Sequence, residues 1–423
     1  MFVCMNKKVV FFVSILLSVV SCSDNTNEEN VVEMLPATRS ISLDPEQKTF
    51  VNHNNEFSVK LFREVVLYDK YSSKIVSPLG VTFVMSMLND GASGSTSEEI
   101  KSLIGFGDAS YNAVNEYNKK MIEEAPNVDS NVELDIANFL AFNSCYNITP
   151  ENRFEKDMTD YYHTEFLPLD FSSPKGLETI DDWCRRHSDG VFSEISGEIS
   201  PAAMLVILNT MKFNATWTSK FSPSNTQNEE FFFENGNHTE LATMHQKVLA
   251  NYRTDNIYSM VQLPYGSGDK WSMYILLPNK GKSVEEIVAT LCEQNLSPES
   301  KFWIMDRAIV DVKIPKFATD SDLTLNDIIS NMGAPTIFTD QADFSKISSS
   351  VKNLYVSLIK QNVKAKVDEE GTEMVSVSMA SMSQSLNASN YPAVEFYANR
   401  PFVYLIREAS SGAIFFIGSY HGQ

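Results

Sequence analysis

Apolar residues recur at helical spacing between Phe50 and Leu67, with Phe57, Leu61, Phe62, Val65 and Val66 on one stripe, which predicts an amphipathic helix. The stretch VSPLGVTFVMSMLNDGASGSTSEEIKSLIGFG (76–107) predicts a capped, buried helix, a glycine-rich turn and a further helix starting near Ser97-Glu98-Glu99. VELDIANFLAFN (132–143) has the composition and boundaries of a strand. ITPENRFEKDMTDYYHTEFLPLDF (148–171) predicts a helix followed by a short strand, and LETIDDWCRRHSDGVFSEI (177–195) an amphipathic helix ending near Gly190. Met204–Phe213 is almost continuously apolar, as in a strand buried on both faces. Beyond residue 225 strands dominate: Gln227–Phe233, Ile257–Leu263, Trp271–Leu277, Ala308–Ile314, Asn362–Val367, Phe402–Leu405 and the closing AIFFIGSY. Phe231, Phe232 and Phe233 read as core at strand spacing rather than as a ligand pocket. Helices early and strands late, with no strand–helix–strand alternation, internal repeat or dividing linker, indicate one α+β domain over 46–423.

Composition narrows the picture. With 423 residues and 43% hydrophobic content the chain can bury a large core, and its net charge of −20 argues against a nucleic-acid partner. Lys7 and Lys8 precede an apolar run from Val9 to Val20 and then Ser21-Cys22, the layout of a signal peptide over 1–21. Val19-Val20-Ser21-Cys22 resembles the lipobox of bacterial lipoproteins. That resemblance implies a lipidated Cys22, a polar tether over 22–45, and a place at the outer membrane or cell surface of a bacterium. Of five cysteines, Cys4 leaves with the signal and Cys22 is consumed by lipid. Cys145, Cys184 and Cys292 are isolated and odd in number, so buried free thiols are expected and not a disulfide framework. There is no GxSxG, HExxH, P-loop or GxGxxG motif, and the six histidines show no metal-ligand spacing. No enzyme chemistry, cofactor or metal is therefore expected.

One stretch fits neither an ordinary loop nor an ordinary strand. In EEGTEMVSVSMASMSQSLNASNYP (369–392) the run from Thr372 to Tyr391 contains no proline, lysine or arginine, and Glu373 is its one charge. It follows LYVSLIKQNVKAKVDEEGTE (354–373) and precedes ANRPFVYLIREASSGAIFFIGSY (398–420). This arrangement resembles the serpins. So do IVSPLGVTFVMSMLNDGASGSTSEEI, LNTMKFNATWTSKF and IPKFATDSDLTLNDIISNMGAPTIFTDQADFSKI, in the family's order and spacing over about residues 46–421.

The resemblance implies three β-sheets, about eight or nine helices and an exposed reactive-centre loop. It further implies suicide inhibition of serine or cysteine proteases, in which the cleaved loop inserts as a new strand into the main sheet. Carried onto this chain, Glu369, Glu370, Gly371, Thr372 and Glu373 form the hinge. Met374, Ser376, Ser378, Ala380 and Met382 continue the inward face of the inserting strand, with Thr372. Ser77, Asn209, Trp217 and Gln361 match the family's residues at the centre and top of the main sheet. The residues themselves suit insertion. Proline would remove ladder donors and buried charge would be costly, and both are missing after Glu373. At roughly 3.3 Å per residue, the fourteen residues 372–385 span about 46 Å as a strand.

The bait bond is bracketed. Family spacing counted from Glu369 places it between Ser385 and Leu386, whereas counting back from Pro401 gives Asn390, so the loop is about five residues longer than usual. Leu386 and Met382 suit elastase-, chymotrypsin-, subtilisin- or papain-like targets of a monomeric inhibitor, and no basic residue between Gly371 and Asn399 suits trypsin. Two departures stand out. Met374-Val375-Ser376-Val377 replaces the alanines usual after the hinge, and Gln361 replaces a histidine and cannot titrate. The first opens an alternative, a non-inhibitory serpin serving as protease substrate or binding module.

Overall fold

The computed structural model describes residues 38–188, 190, 194–268, 270–372 and 391–422. These contain eight α-helices and fifteen strands. The N-terminal half is α1 (Pro45–Tyr68), β1 (Lys74–Val76), α2 (Pro78–Gly91), α3 (Gly94–Ile104), α4 (Tyr111–Glu124), β2 (Val132–Asn143), α5 (Asn152–Tyr162), β3 (Glu165–Leu169), α6 (Pro174–His187) and β4 (Leu205–Thr216). Next come β5 (Gln227–Phe232), β6 (His238–Thr254), β7 (Tyr258–Tyr265), β8 (Trp271–Pro278), α7 (Val284–Glu293), β9 (Asp306–Pro315), β10 (Phe317–Thr324) and α8 (Asn326–Asn331). The chain closes with β11 (Val356–Val367), β12 (Gly371–Thr372), β13 (Ala393–Tyr397), β14 (Phe402–Glu408) and β15 (Ile414–Tyr420).

Local chemistry starts the helices where they start. Asp44 and Gln47 form a capping box ahead of α1, with Pro45 in its first turn, and Ser77 caps α2 by accepting from the Gly80 N–H. All of α2 is buried, so it is the helix around which the sheets pack. Residues 38–44 do not trail away as the end of a tether. Arg39 N–H donates to the Val128 carbonyl (2.8 Å), and Ile41 is buried with its N–H on Ser410 Oγ (2.9 Å).

Hydrogen bonding makes two sheets. The nine-stranded one runs β1-β15-β14-β8-β7-β6-β9-β13, with β5 also on β6. The third sheet implied by the resemblance is continuous with the second, because the 17-residue β6 serves both: its start pairs with β5, its end with β7. The six-stranded sheet runs β10-β11-β12-β4-β2-β3.

Expected boundaries shifted at several ends: α3 begins before Ser97, α6 stops at His187, and β11 begins six residues before Asn362. Helix α4 and strands β6 and β10 carry weak apolar patterns, with only one face, or one end, turned to the core. Cys184 is buried as expected of a free thiol. Cys145 is exposed, near an Asp170 carboxylate (3.4 Å), which corrects the expectation for that residue.

Candidate functional site

The six-stranded sheet has a seam at its centre. Over most of their length β4 and β11 pair directly and in parallel, from Val356↔Leu205 to Lys364↔Lys212. At the upper end they part, and β12 sits between them, Thr372 opposite Val367 on one side and Ala215 on the other. The first two residues after the Asp368–Glu370 turn are thus already a strand between β4 and β11.

Each described hinge residue has a reason to be there. A Cβ at Gly371 would lie 1.9 Å from the Ala215 carbonyl oxygen, so only glycine allows the backbone this close to β4. Thr372 is fully buried, and its hydroxyl shares a 2.6 Å hydrogen bond with the Tyr265 hydroxyl. Tyr265 stacks on Trp217 with centroids 4.4 Å apart. The Trp217 indole donates to the Asp368 carbonyl (2.9 Å), while its backbone N–H donates to Glu370 (2.8 Å). Both described hinge carboxylates are tied down: Glu370 to Lys220 at 2.5 Å, Glu369 to Lys316 at 2.7 Å and to the Thr226 hydroxyl at 2.7 Å. Burial pushes the Glu369 carboxyl up, but the Lys316 and Thr226 hydrogen bonds outweigh it and hold the group below the ordinary carboxylate range.

Halfway down, a polar row crosses the sheet. Asn138, Asn209 and Gln361 are register partners on β2, β4 and β11, and all are buried. Gln361 accepts from the Ser77 N–H (2.9 Å) and donates to the Ser77 carbonyl (2.8 Å) and Asn209 Oδ1 (3.0 Å). Asn209 in turn donates to Asn138 Oδ1 (2.9 Å). Gly80 makes room, since a Cβ there would meet Asn209 Oδ1 at 2.2 Å. The side chain at position 361 therefore satisfies both strands and the α2 cap with groups that stay neutral at every pH.

The two faces of the seam differ. Leu205, Ile207, Met211 and Phe213 point into the main core, whereas Val206, Leu208 and Leu358 lie under α6 and the strap that leads from it to β4, against Trp183, Ile195 and Ile199. Sequence reasoning missed one tie here. Lys360 on β11 is 2% exposed, and its ammonium binds Glu198 in the strap and Asp322 on β10, the latter at 2.9 Å. The Thr324 hydroxyl also reaches Glu198 (3.2 Å). A lysine amid apolar strand residues was the available signal. Lys360 thus ties β11 to the strap that leads into β4.

Ser77, Asn209, Trp217, Gln361, Glu369, Glu370, Gly371 and Thr372 are thus gathered along one line. Glu373, Met374, Ser376, Ser378, Ala380, Met382, Ser385 and Leu386 lie outside the described residues, as does Cys22.

A family model described as Serpin (serine protease inhibitor) matches residues 52–422. Serine protease inhibitor A6 of Xenopus laevis is 28% identical over 384 residues, covering 89% of this chain and 84% of that one. Among solved structures, the thermophilic serpin tengpin in its native state superposes with a TM-score of 0.80 at 23% identity, covering 92% of this chain and all of that one. Human thyroxine-binding globulin complexed with thyroxine gives a TM-score of 0.75 at 21% identity, covering 88% and 98%.

Proposed function

We propose that this chain, which belongs to the serpin family, is a suicide-substrate inhibitor of serine or cysteine endopeptidases. The observation that carries the reading is the wedge of Gly371 and Thr372 between strands that are otherwise zipped together. A protease hydroxyl or thiol attacks the Ser385 carbonyl, the bond to Leu386 breaks, and Leu386 leaves as a protonated new N-terminus. The acyl-enzyme then rides on Ser385. With the loop cut, the segment from Glu373 follows Thr372 downward between β4 and β11, presenting Met374, Ser376, Ser378, Ala380 and Met382 to the inner face. Each residue inserted replaces one β4–β11 pairing with two pairings to the new strand, at about 1 kcal/mol net per hydrogen bond. The uncut fold is then a kinetic trap.

A second reading has its own support in Met374-Val375, bulkier than a strand entering a closed seam favours. Slow insertion lets water hydrolyse the acyl-enzyme, and the protein is then a protease substrate or a binding module; thyroxine-binding globulin, by its name, binds a ligand. Mixing with elastase-, subtilisin- and papain-type proteases separates the two. SDS-resistant complexes are expected; clean cleavage without complex across the panel would favour the second reading. The mass of the released peptide locates the bait bond between Met382 and Asn390.

The N-terminal pattern supports a lipid anchor at Cys22 following a signal over 1–21, with residues 22–37 as tether, since Arg39 and Ile41 are hydrogen-bonded to the body. The inhibitor would thereby guard a bacterial envelope. Cys22→Ala should release the protein to the medium; retention in the membrane fraction would place the anchor elsewhere.

A further inference from the structure

Away from the seam, a cavity of about 580 Å³ opens where the turn after β5, the start of β14, the chain after β15 and the segment joining α1 to β1 meet. Its size is in the range of small-molecule sites. Tyr71, Phe233 and Pro401 supply its apolar walls. Tyr71 is 67% exposed, a ring presented to solvent with no core to fill, while Phe233 is steadied edge-on by Phe231 at 6.0 Å.

Two polar groups set the chemistry of this cavity. His421 is 3% exposed, and its Nε2 has no hydrogen-bond partner among the described residues, although its backbone N–H is held by Ser73 Oγ at 3.0 Å. Burial pushes this imidazole down to about 4, against the pull of Asp69, so at neutral pH it is an uncharged ring with an unused nitrogen. Glu234 lies at the rim. Desolvation raises its carboxyl despite the N–H it accepts from Val284, and Glu285 nearby adds to the effect. No lysine or arginine is among the described residues lining the cavity. Of the cations nearest in sequence, Lys70 pairs with Glu285 (2.7 Å) and Lys74 with Asp69 (3.3 Å), while Arg400, next to Pro401, is directed onto the Pro278 carbonyl and Asn399 Oδ1. The cavity therefore faces a ligand with negative charge, aromatic rings and one neutral acceptor. Anionic ligands are disfavoured, and an ammonium ion over aromatic faces beside a carboxylate is favoured.

We propose that this cavity binds a small organic cation, a protonated amine carried on a flat apolar body. Glu234 and the Tyr71 and Phe233 rings take the ammonium end, and an N–H on the body donates to His421.

Tryptamine is a suitable probe, titrated into the full chain and followed by ligand-observed NMR. Saturable binding is expected. Tryptophol, with a hydroxyl in place of the ammonium, and indole-3-propionate, with a carboxylate, should bind at least about tenfold more weakly. Glu234→Gln keeps an oxygen for the Val284 N–H but removes the charge, and should bring tryptamine down to the level of tryptophol. Tyr71→Ala, at an exposed position that cannot unfold the core, should weaken tryptamine severalfold while keeping the order of the three probes. Absence of saturable tryptamine binding, equal binding of indole-3-propionate, or tryptamine affinity unchanged in either variant would overturn the proposal.

Discussion

In the nine-stranded sheet, β8, β14 and β15 are buried along their whole length, with Ile275, Leu276, Leu405 and Ile417 packed on both faces and the buried charges Arg407 and Glu408 kept to the end of β14. At the centre of the six-stranded sheet, β4 and β11 instead bury a polar row and a lysine ion pair, and one end of their junction is already held open by β12. Apolar packing is non-directional, and every neighbour contributes to it, so a sheet built that way has no natural line of parting. Hydrogen bonds and ion pairs are directional and can be exchanged for others of the same kind. A seam made of them can open and re-form around a new strand. The difference teaches that the lower stability of the seam's interactions, one by one, is compatible with a specific closed state.

The largest expected effect comes from closing the entry. Thr372→Arg places a charge where the native side chain is wholly buried against Tyr265. The ratio of covalent complex to simple cleavage should fall by about a hundredfold or more, read from SDS gels with an elastase-type protease. Complex at wild-type yield would mean that strand entry does not begin here.

Next in size is damage to the other sheet. Ile417→Ala should cost about 2–5 kcal/mol in denaturant unfolding. That loss should be the same before and after loop cleavage, because this sheet does not change neighbours. A loss confined to the uncut form would erase the contrast between the sheets.

Glu198→Gln tests the strap. Lys360 keeps Asp322, so the uncut protein should lose only about 1 kcal/mol, and insertion should quicken by about fivefold at most. The loop-cleaved form should be unaffected if the proposed insertion between β4 and β11 separates Lys360 from Glu198. An equal loss in both forms would show that the pair stays intact and does not restrain the seam.

The smallest effect is on pH. The Glu369 carboxyl is depressed in the folded protein, so its contribution is fully present above the ordinary value of 4.5 and is lost as pH falls through the lower folded value. Acidification below about pH 4.5 should therefore loosen the hinge, seen as faster proteolysis of the loop at acid pH. Lys316→Gln should flatten that dependence, and an unchanged slope would remove Glu369 from the account.

Much of this protein could be read from the chain itself. Helical spacing and caps located α1, α2 and α5, and continuous apolar runs located β4, β8 and β15, because these elements bury a stripe or both faces. The resemblance of local stretches pointed to Ser77, Asn209, Gln361, Gly371 and Thr372. What no local pattern contained were the partners of charged residues. Lys220 lies 150 positions from Glu370, and Glu198 lies 162 from Lys360. A lysine in a strand reads as solvent-facing until the fold supplies the acids that make its burial tolerable. The same holds for His421, whose isolation follows from three distant segments meeting around it. By itself the sequence determined the strongly patterned helices and strands, and that residues 372–391 have almost no charge and no proline to keep them out of a sheet. Only the tertiary structure decided that β4 and β11 lie parallel and adjacent with the hinge already between them, because strand order depends on long-range packing that residue periodicity does not encode.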